Sequence, residues 1–402
     1  MHQLKLIYFD PECTGYHLGH VRLFAERAAV DSRIASAHFV LSPEFLAHDK
    51  ANILELIQSN ARLSFELCSR SVAEACKPHS GLRAREKGRI RWSEVRRLLQ
   101  DRPGSILFDS MFDLNIRGAA LDRRPLNGFV TGIVHFCAPA LLSKRTKEKW
   151  HLRIAYLLAK RRETPFVFSF DKMFIEKGPR YIVNNWRWVP DPLPVNREQL
   201  QRLLLASPSS GKDHVEFLLF GSLGRRKGLF SVLEALERLA LSTAKRVSVR
   251  ILGEYSEGGT NEREHFLEII SRIQSKGIVG LRFEERFATE DELIEALIDC
   301  DVVLAPYLHH SGVSAALIWA AAAGRPIITQ DSGWIAHETS TNKLGLMCDP
   351  TDSVKLASAI AQMVNQEDRR NLWPPDRLHK FAEMHTPDHF YSSIIEQLVL
   401  FE

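Results

Sequence analysis

The segment VVLAPYLHHSGVSAALIWAAAAGRPIITQD, Val302 to Asp331, holds a helix-length stretch, Ser314 to Ala323, without a single charged residue. A helix that is apolar on every side has no face for water and must be buried between layers. The consecutive alanines Ala320–Ala323 let it pack closely on a sheet. Gly324 can end it in the left-handed conformation, and Pro326 stops it from continuing. Apolar strand-like runs, VVLAPY and PIITQD, lie on either side. The amino end of this helix therefore lies at the carboxyl end of a strand. There, Gly312, Val313 and Ser314 present N–H groups with a partial charge of about +0.5, which favours an anion. Ser311 and Ser314 add hydroxyl donors. The other reading of these residues is a structural helix capped by Ser311 or Ser314.

The rest of the chain extends this strand–helix alternation. In the first half KLIYFD, IASAHFVLS, RLSFELC, SILFDS, GFVTGIVHF, PFVFSFD and RYIVNNW read as strands. A loop with Gly15 and Gly19 follows the first of them and leads into a helix, HVRLFAERAAV. WVPDPLP, with three prolines, and the polar SPSSGKD interrupt the series. In the second half VEFLLFGSL, RVSVRILG, GLRFEERF, VVLAPY, PIITQD and GLMCDP are strands. Thr289 and Glu292 form a capping box for a helix over 290–300, and Pro387 opens a final helix behind Thr386. The class is α/β, with mostly parallel sheets covered by helices. The expected divisions are 1–190, a linker over 191–212, a second domain over 213–380, and a terminal segment over 381–402. Ligands of such sheets bind at the carboxyl ends of strands, so with two units the cleft between them is the expected site.

A length of 402 residues fits two domains rather than one. A net charge of +4 is too small for this length to argue for nucleic acid. The six cysteines, Cys13, Cys68, Cys76, Cys137, Cys300 and Cys348, form no C-x-x-C pair and read as reduced buried thiols. The first strand begins at once, and no run approaches the ~20 apolar residues that span a bilayer. The expected location is cytoplasmic, at most peripheral to a membrane.

GSLGRRKG, Gly221–Gly228, follows a strand and precedes a helix. Its glycines allow close backbone approach, and Arg225, Arg226 and Lys227 add charge suited to a diphosphate. A solvated basic turn is the other reading. This loop and the helix end at Gly312–Ser314 belong to one α/β unit and suit the same anion.

The blocks FLLFGSLGRRKGLFSVLEAL, RVSVRILGE, DELIEALIDCDVVLAPY, AAAAGRPIITQDSG and LGLMCDPTDSVKLASAI resemble, in order and spacing, glycosyltransferase family 4. The resemblance implies a GT-B fold, with two Rossmann-like domains facing across a cleft and a C-terminal helix crossing back to the first. It implies a retaining transfer from a nucleotide-diphosphate sugar, without a metal or other cofactor. Lys227 matches the lysine that holds the donor diphosphate, whereas Ser222 stands where the family has arginine, so Arg225 or Arg226 would substitute. His135 matches a histidine near the reacting sugar; a core histidine at a strand end is the other reading. Gly15 and Gly19 match the first-domain loop that approaches donor and acceptor. Gly253, Glu254, Arg286 and Phe287 fall where the nucleoside is held. The family has two glutamates eight positions apart, for the sugar and the ribose. Ser311 and Trp319 replace them here, and His337 takes a further glutamate position beside Glu338. Losing such a buried hydrogen bond costs about 1.5–3 kcal/mol.

In transfer of this type the acceptor hydroxyl attacks on one face of the sugar and the leaving diphosphate takes its proton. The protein's part is then to stabilise charge on the phosphates. Asp109 and Asp113 read as exposed structural acids, or as groups that bind acceptor hydroxyls. The basic stretches Gly81–Arg102 and Ser143–Arg153 read as solvated faces, or as surfaces for anionic lipid or a lipid-linked glycan acceptor. A catalytically silent GT-B partner or sugar-nucleotide-binding module is the rival function. A GT-B enzyme of another kind, such as a sugar-phosphate epimerase, is a third.

Overall fold

The computed structural model describes the chain except for residues 1–2, 13–15, 49–51, 78–79, 123, 136–161, 178–184, 207–213, 257–259, 311, 367 and 402. It divides into two compact units: Met1–Pro194 with Pro387–Glu402, and Val195–Thr386.

The first unit is built on a five-stranded parallel sheet: β1 (Leu4–Asp10), β2 (Ile34–Leu41), β3 (Leu63–Leu67), β4 (Ile106–Asp109) and β5 (Phe129–Gly132). The spatial order is β3-β2-β1-β4-β5. β6 (Val167–Ser169) and β7 (Trp186–Trp188) form a parallel pair, tied to this sheet by a bridge between Ile133 and Phe168. The strands read as unbroken apolar runs because helices cover them; Ile7, Phe9, Leu107, Val130, Trp92, Val95 and Leu98 share one core. The reversal of strand order lies between β1 and β4, where Phe9 pairs with Asp109. Helix α1 (Tyr16–Ala28) follows β1, and α2 (Ala84–Asp101) leads to β4.

The second unit opens with α3 (Arg197–Leu204), begun by a capping box between Asn196 and Gln199. This helix occupies residues read from sequence as linker. Proline content hid the Asn-x-x-Gln signal, which supplies the missing N-terminal partners. Six parallel strands follow: β8 (Val215–Phe220), β9 (Val247–Leu252), β10 (Gly280–Glu284), β11 (Val302–Ala305), β12 (Ile327–Gln330) and β13 (Gly345–Cys348). Their order, β10-β9-β8-β11-β12-β13, is that of a doubly wound dinucleotide-type sheet, with its switch point between β8 and β11. Around it run α4 (Leu229–Glu237), α5 (Glu290–Asp299), the uncharged helix α6 (Ala315–Ala322) and α7 (Pro375–Glu383). In α6 every residue after Ala315 is buried. Gly324 takes a φ of +65° and ends the helix. The last helix, α8 (Pro387–Phe401), belongs to the first unit, where Phe390 meets the ring of Phe24 and Phe401 those of Phe129 and Phe166. Of the cysteines, Cys68, Cys76, Cys300 and Cys348 are free and buried; Cys13 and Cys137 lie outside the described residues.

Glu292 accepts from the Thr289 N–H at 2.8 Å while its own N–H donates to Thr289 Oγ1 at 3.3 Å, so both halves of the predicted capping box are made. Thr289→Ala should lower unfolding free energy by about 1 kcal/mol, read from denaturant melts.

Candidate functional site

The switch point of the second sheet gathers two loops. The one after β8 runs through Gly221 to Gly228 and contains a 3-10 turn, Arg225–Lys227; the one after β11 leads into α6. They are joined through the backbone, since the Leu308 N–H donates to the Arg226 carbonyl at 2.8 Å. Gly228 makes the approach possible. Its φ is +76°, and a Cβ there would lie 2.0 Å from the Pro306 carbonyl oxygen.

Side chains complete the junction. The half-buried Lys227 ammonium donates to the Tyr307 hydroxyl at 2.9 Å and sits 4.2 Å from the ring centroid. The Ser314 hydroxyl donates to the same oxygen at 3.3 Å. Ser314 occupies the N-cap position of α6 but makes no capping bond. The capped-helix reading therefore fails for Ser314, and Ser311 lies outside the described residues. The loop is braced from β12: buried Gln330 accepts from the His310 N–H at 3.2 Å and donates to the carbonyls of His310 and Ser332. His310 Nε2 reaches the Val313 carbonyl at 3.3 Å, and burial holds its pKa below the ordinary value.

The other predicted residues divide. Ser222 is exposed and bonds Ser256 through its hydroxyl. Arg225 lies over the Phe230 ring at 4.7 Å and within 3.6 Å of Glu262, so it is engaged inside its own unit; Arg226 is exposed. Gly253 has a φ of +158°, and a Cβ there would meet the Gly221 carbonyl oxygen at 1.8 Å, which fixes the turn after β9 against the basic loop. Glu254 accepts from the Leu223 N–H through its carbonyl, leaving its carboxylate at the surface. Arg286 is paired with Glu284 at 3.1 Å and Glu292 at 2.8 Å. Phe287 beside it is 80% exposed, a flat apolar ring open to solvent. Trp319 is buried within α6, as is the carboxylate-bearing Glu338 on its own helix.

The first unit has a second polar concentration, at the carboxyl ends of β1, β4 and β5. Asp109 is completely buried, which corrects its reading as an exposed acid. It accepts from Arg91 Nη2 at 3.1 Å, from the Met111 N–H at 3.0 Å and from the Asn115 amide. Arg91, 1% exposed, stands on the apolar stripe of α2 with Val95, Leu98 and Leu99, so one arginine of the basic stretch is interior while Arg83, Arg85 and Arg89 face solvent. Sequence reasoning missed Arg91 because its neighbours are charged; its position one helical repeat before Val95 was the available signal. The second basic stretch, Ser143–Arg153, lies outside the described residues.

His17 bonds the buried Asp10 through Nδ1 at 3.1 Å. Burial opposes its charge, but the carboxylates of Asp10 and Glu12 together outweigh burial and raise its pKa. The Gly15 position is outside the described residues, and Gly19 is inside α1 rather than in a loop. The helix starts earlier than the glycines suggested because the first turn is anchored by this His17–Asp10 contact; a Cβ at position 19 would meet only Pro194, at an ordinary 3.4 Å. His135 Nε2 contacts the Ser110 carbonyl at 2.8 Å, its N–H donates to Asp113 at 3.4 Å, and its ring meets Phe170 edge-on. Burial pushes the His135 pKa down to about 4, and that of Asp113 up to about 6. Among the described residues, no group of three or more His, Cys, Asp or Glu is placed to hold a metal ion. Nor is any helix among them long and apolar enough to cross a membrane.

With this geometry established, the class follows from comparison of folds: the chain has the GT-B fold, with two Rossmann-like domains. A solved structure of Anabaena Alr3699/HepE in complex with UDP superposes with a TM-score of 0.64 over 98% of this chain and 100% of that one, at 15% identity. A UDP-forming α,α-trehalose-phosphate synthase from Burkholderia vietnamiensis gives 0.69 over 99% of each, at 9% identity. Residues 214–366, which include all six strands of the second unit's sheet, match the family model described as Glycosyl transferases group 1. The O-antigen chain mannosyltransferase C of Escherichia coli is 27% identical over 180 residues, which span 44% of this chain and 45% of that relative.

Gly228→Ala should both strain the turn and force the two loops apart, with about 1–3 kcal/mol lost in thermal or denaturant unfolding. A pH effect follows from His135. An unfolded histidine titrates near 6.5 and this folded one near 4, so between those values the unfolded chain binds more protons. The stability tied to a neutral His135 is thus present above about pH 6.5 and falls as pH is lowered through that window. Asp113 acts in the opposite sense, favouring the folded state at low pH and less so as pH rises from 3.8 to about 6. His135→Gln should shrink the difference in unfolding free energy between pH 7 and pH 5 by about 1–2 kcal/mol. An unchanged difference would contradict a buried neutral imidazole.

Proposed function

We propose that this chain is a glycosyltransferase that moves a hexose from a nucleotide-diphosphate sugar to a growing glycan, with retention of configuration and without a metal. The observation that carries the reading is the Lys227 ammonium, held by Tyr307 beside the amino end of α6, where Ser314 makes no capping bond. A cation and the main-chain N–H groups of a helix end at one point suit the two phosphates of a departing nucleotide. Arg226 adds charge from the same turn. These positive groups stand in for the divalent ion that other transferases use.

The E. coli relative is named for O-antigen chain mannosyl transfer, which supports a polysaccharide acceptor and a mannosyl donor. The structural relative held UDP, which supports a nucleoside diphosphate as the leaving group. The base would lie on Phe287, and Gly253 and Glu254 would edge the ribose. In the first unit, His135 and Asp113, beside the buried Asp109–Arg91 pair, belong to a pole suited to acceptor hydroxyls. Ser311 and Trp319 in place of the family-4 glutamate pair shift sugar and ribose recognition to other groups. The same substitutions favour one rival: a sugar-nucleotide-binding protein without turnover.

A panel of nucleotide sugars, screened by thermal shift and then by product analysis on lipid-linked glycans, separates these. Transfer should persist in excess chelator. Lys227→Ala should lower kcat/KM at least ~100-fold. Unchanged kinetics in that variant would end the diphosphate reading, and donor binding without product would leave the silent module.

A further inference from the structure

We infer that Tyr307 is a positioning residue for the anion site of the second unit: its phenol oxygen binds the Lys227 ammonium and the Ser314 hydroxyl together and so fixes the cation against the amino end of α6. The inference rests on the diphosphate reading and adds the group that gives the site its shape. Tyr307 is only 2% exposed, so it offers a ligand almost no surface of its own. What it offers is a fixed oxygen between two loops. Its N–H donates to the Ala305 carbonyl at 2.9 Å, which holds the backbone at the end of β11. The His310 ring closes on it edge-on, with centroids 5.1 Å apart.

The contact with Lys227 is double. The ammonium is within hydrogen-bond distance of the oxygen and also lies over the ring. Lysine is a point charge on a flexible four-carbon stem, and nothing in its own geometry aims it. The phenol oxygen aims it, toward the N-cap residue of α6 that the same oxygen engages. The cation and the helix end then address one ligand oxygen rather than two. Phenylalanine at this position would keep the ring, its packing and the cation–π contact, and would remove the oxygen alone.

The test is a double-mutant cycle on the full chain, with UDP, GDP and inorganic pyrophosphate as calorimetric probes. Tyr307→Phe should weaken binding of the tightest probe about tenfold, the worth of one charged hydrogen bond, with the unliganded melting temperature close to wild type. The Tyr307→Phe/Lys227→Ala protein should bind no more weakly than Lys227→Ala, because Tyr307 acts through that lysine. Independent, multiplying losses would overturn the inference, as would a Tyr307→Phe affinity within about twofold of wild type. If the phenylalanine variant melts early, Ser314→Ala replaces it in the cycle and is judged by the same coupling. Failure of the underlying reading looks different: either Lys227→Ala binds every probe like wild type, or the wild-type protein binds none of them.

Discussion

The second unit depends on one steric permission. Gly228 has no side chain, so the basic turn after β8 can lie directly on the carbonyl of Pro306. Every other feature of the proposed anion site needs that contact. The main-chain bond from Leu308 to Arg226 spans the same seam, and Lys227 reaches Tyr307 across it. The uncharged helix contributes the other boundary. Its body is buried, and at its amino end Ser314 gives its hydroxyl to Tyr307 rather than to capping.

The two units use the same sheet geometry for opposite electrostatic purposes. Both place their polar groups where the strand order reverses. In the second unit that point carries an ammonium and amide hydrogens. In the first it carries carboxylates and imidazoles, with the Arg91 guanidinium locked onto Asp109. Arg91 also donates to the Cys76 thiol at 2.6 Å and lies over the Phe9 ring. A charge so enclosed holds β1, β4 and α2 in register, because removing either partner would strand the other in a dry interior.

Much of this was legible in the sequence. Strands announced themselves as apolar runs between glycine and proline breaks, and the capping box at Thr289 and the stop at Gly324 follow from local chemistry. Lys227 and the helix end stood out because charge and its absence are visible in the letters. What failed was everything decided at a distance. Gly19 looked like a loop residue, but the bond from His17 to Asp10 draws it into a helix. Asp109 looked solvated, and its three donors come from a helix, a turn and an amide that no spacing rule connects to it. Tyr307 was passed over because an aromatic residue after a strand is ordinary. Its importance lies in a contact with a residue 80 positions away.

The tether on Lys227 also bears on entropy. A free lysine on a surface turn samples many rotamers, and catching a ligand would freeze them, at a cost of up to about 2 kcal/mol. Here the arm is immobilised when the chain folds. An anion bound there as proposed would meet a cation already at rest, and its capture would gain most of the electrostatic attraction without a matching loss of side-chain disorder.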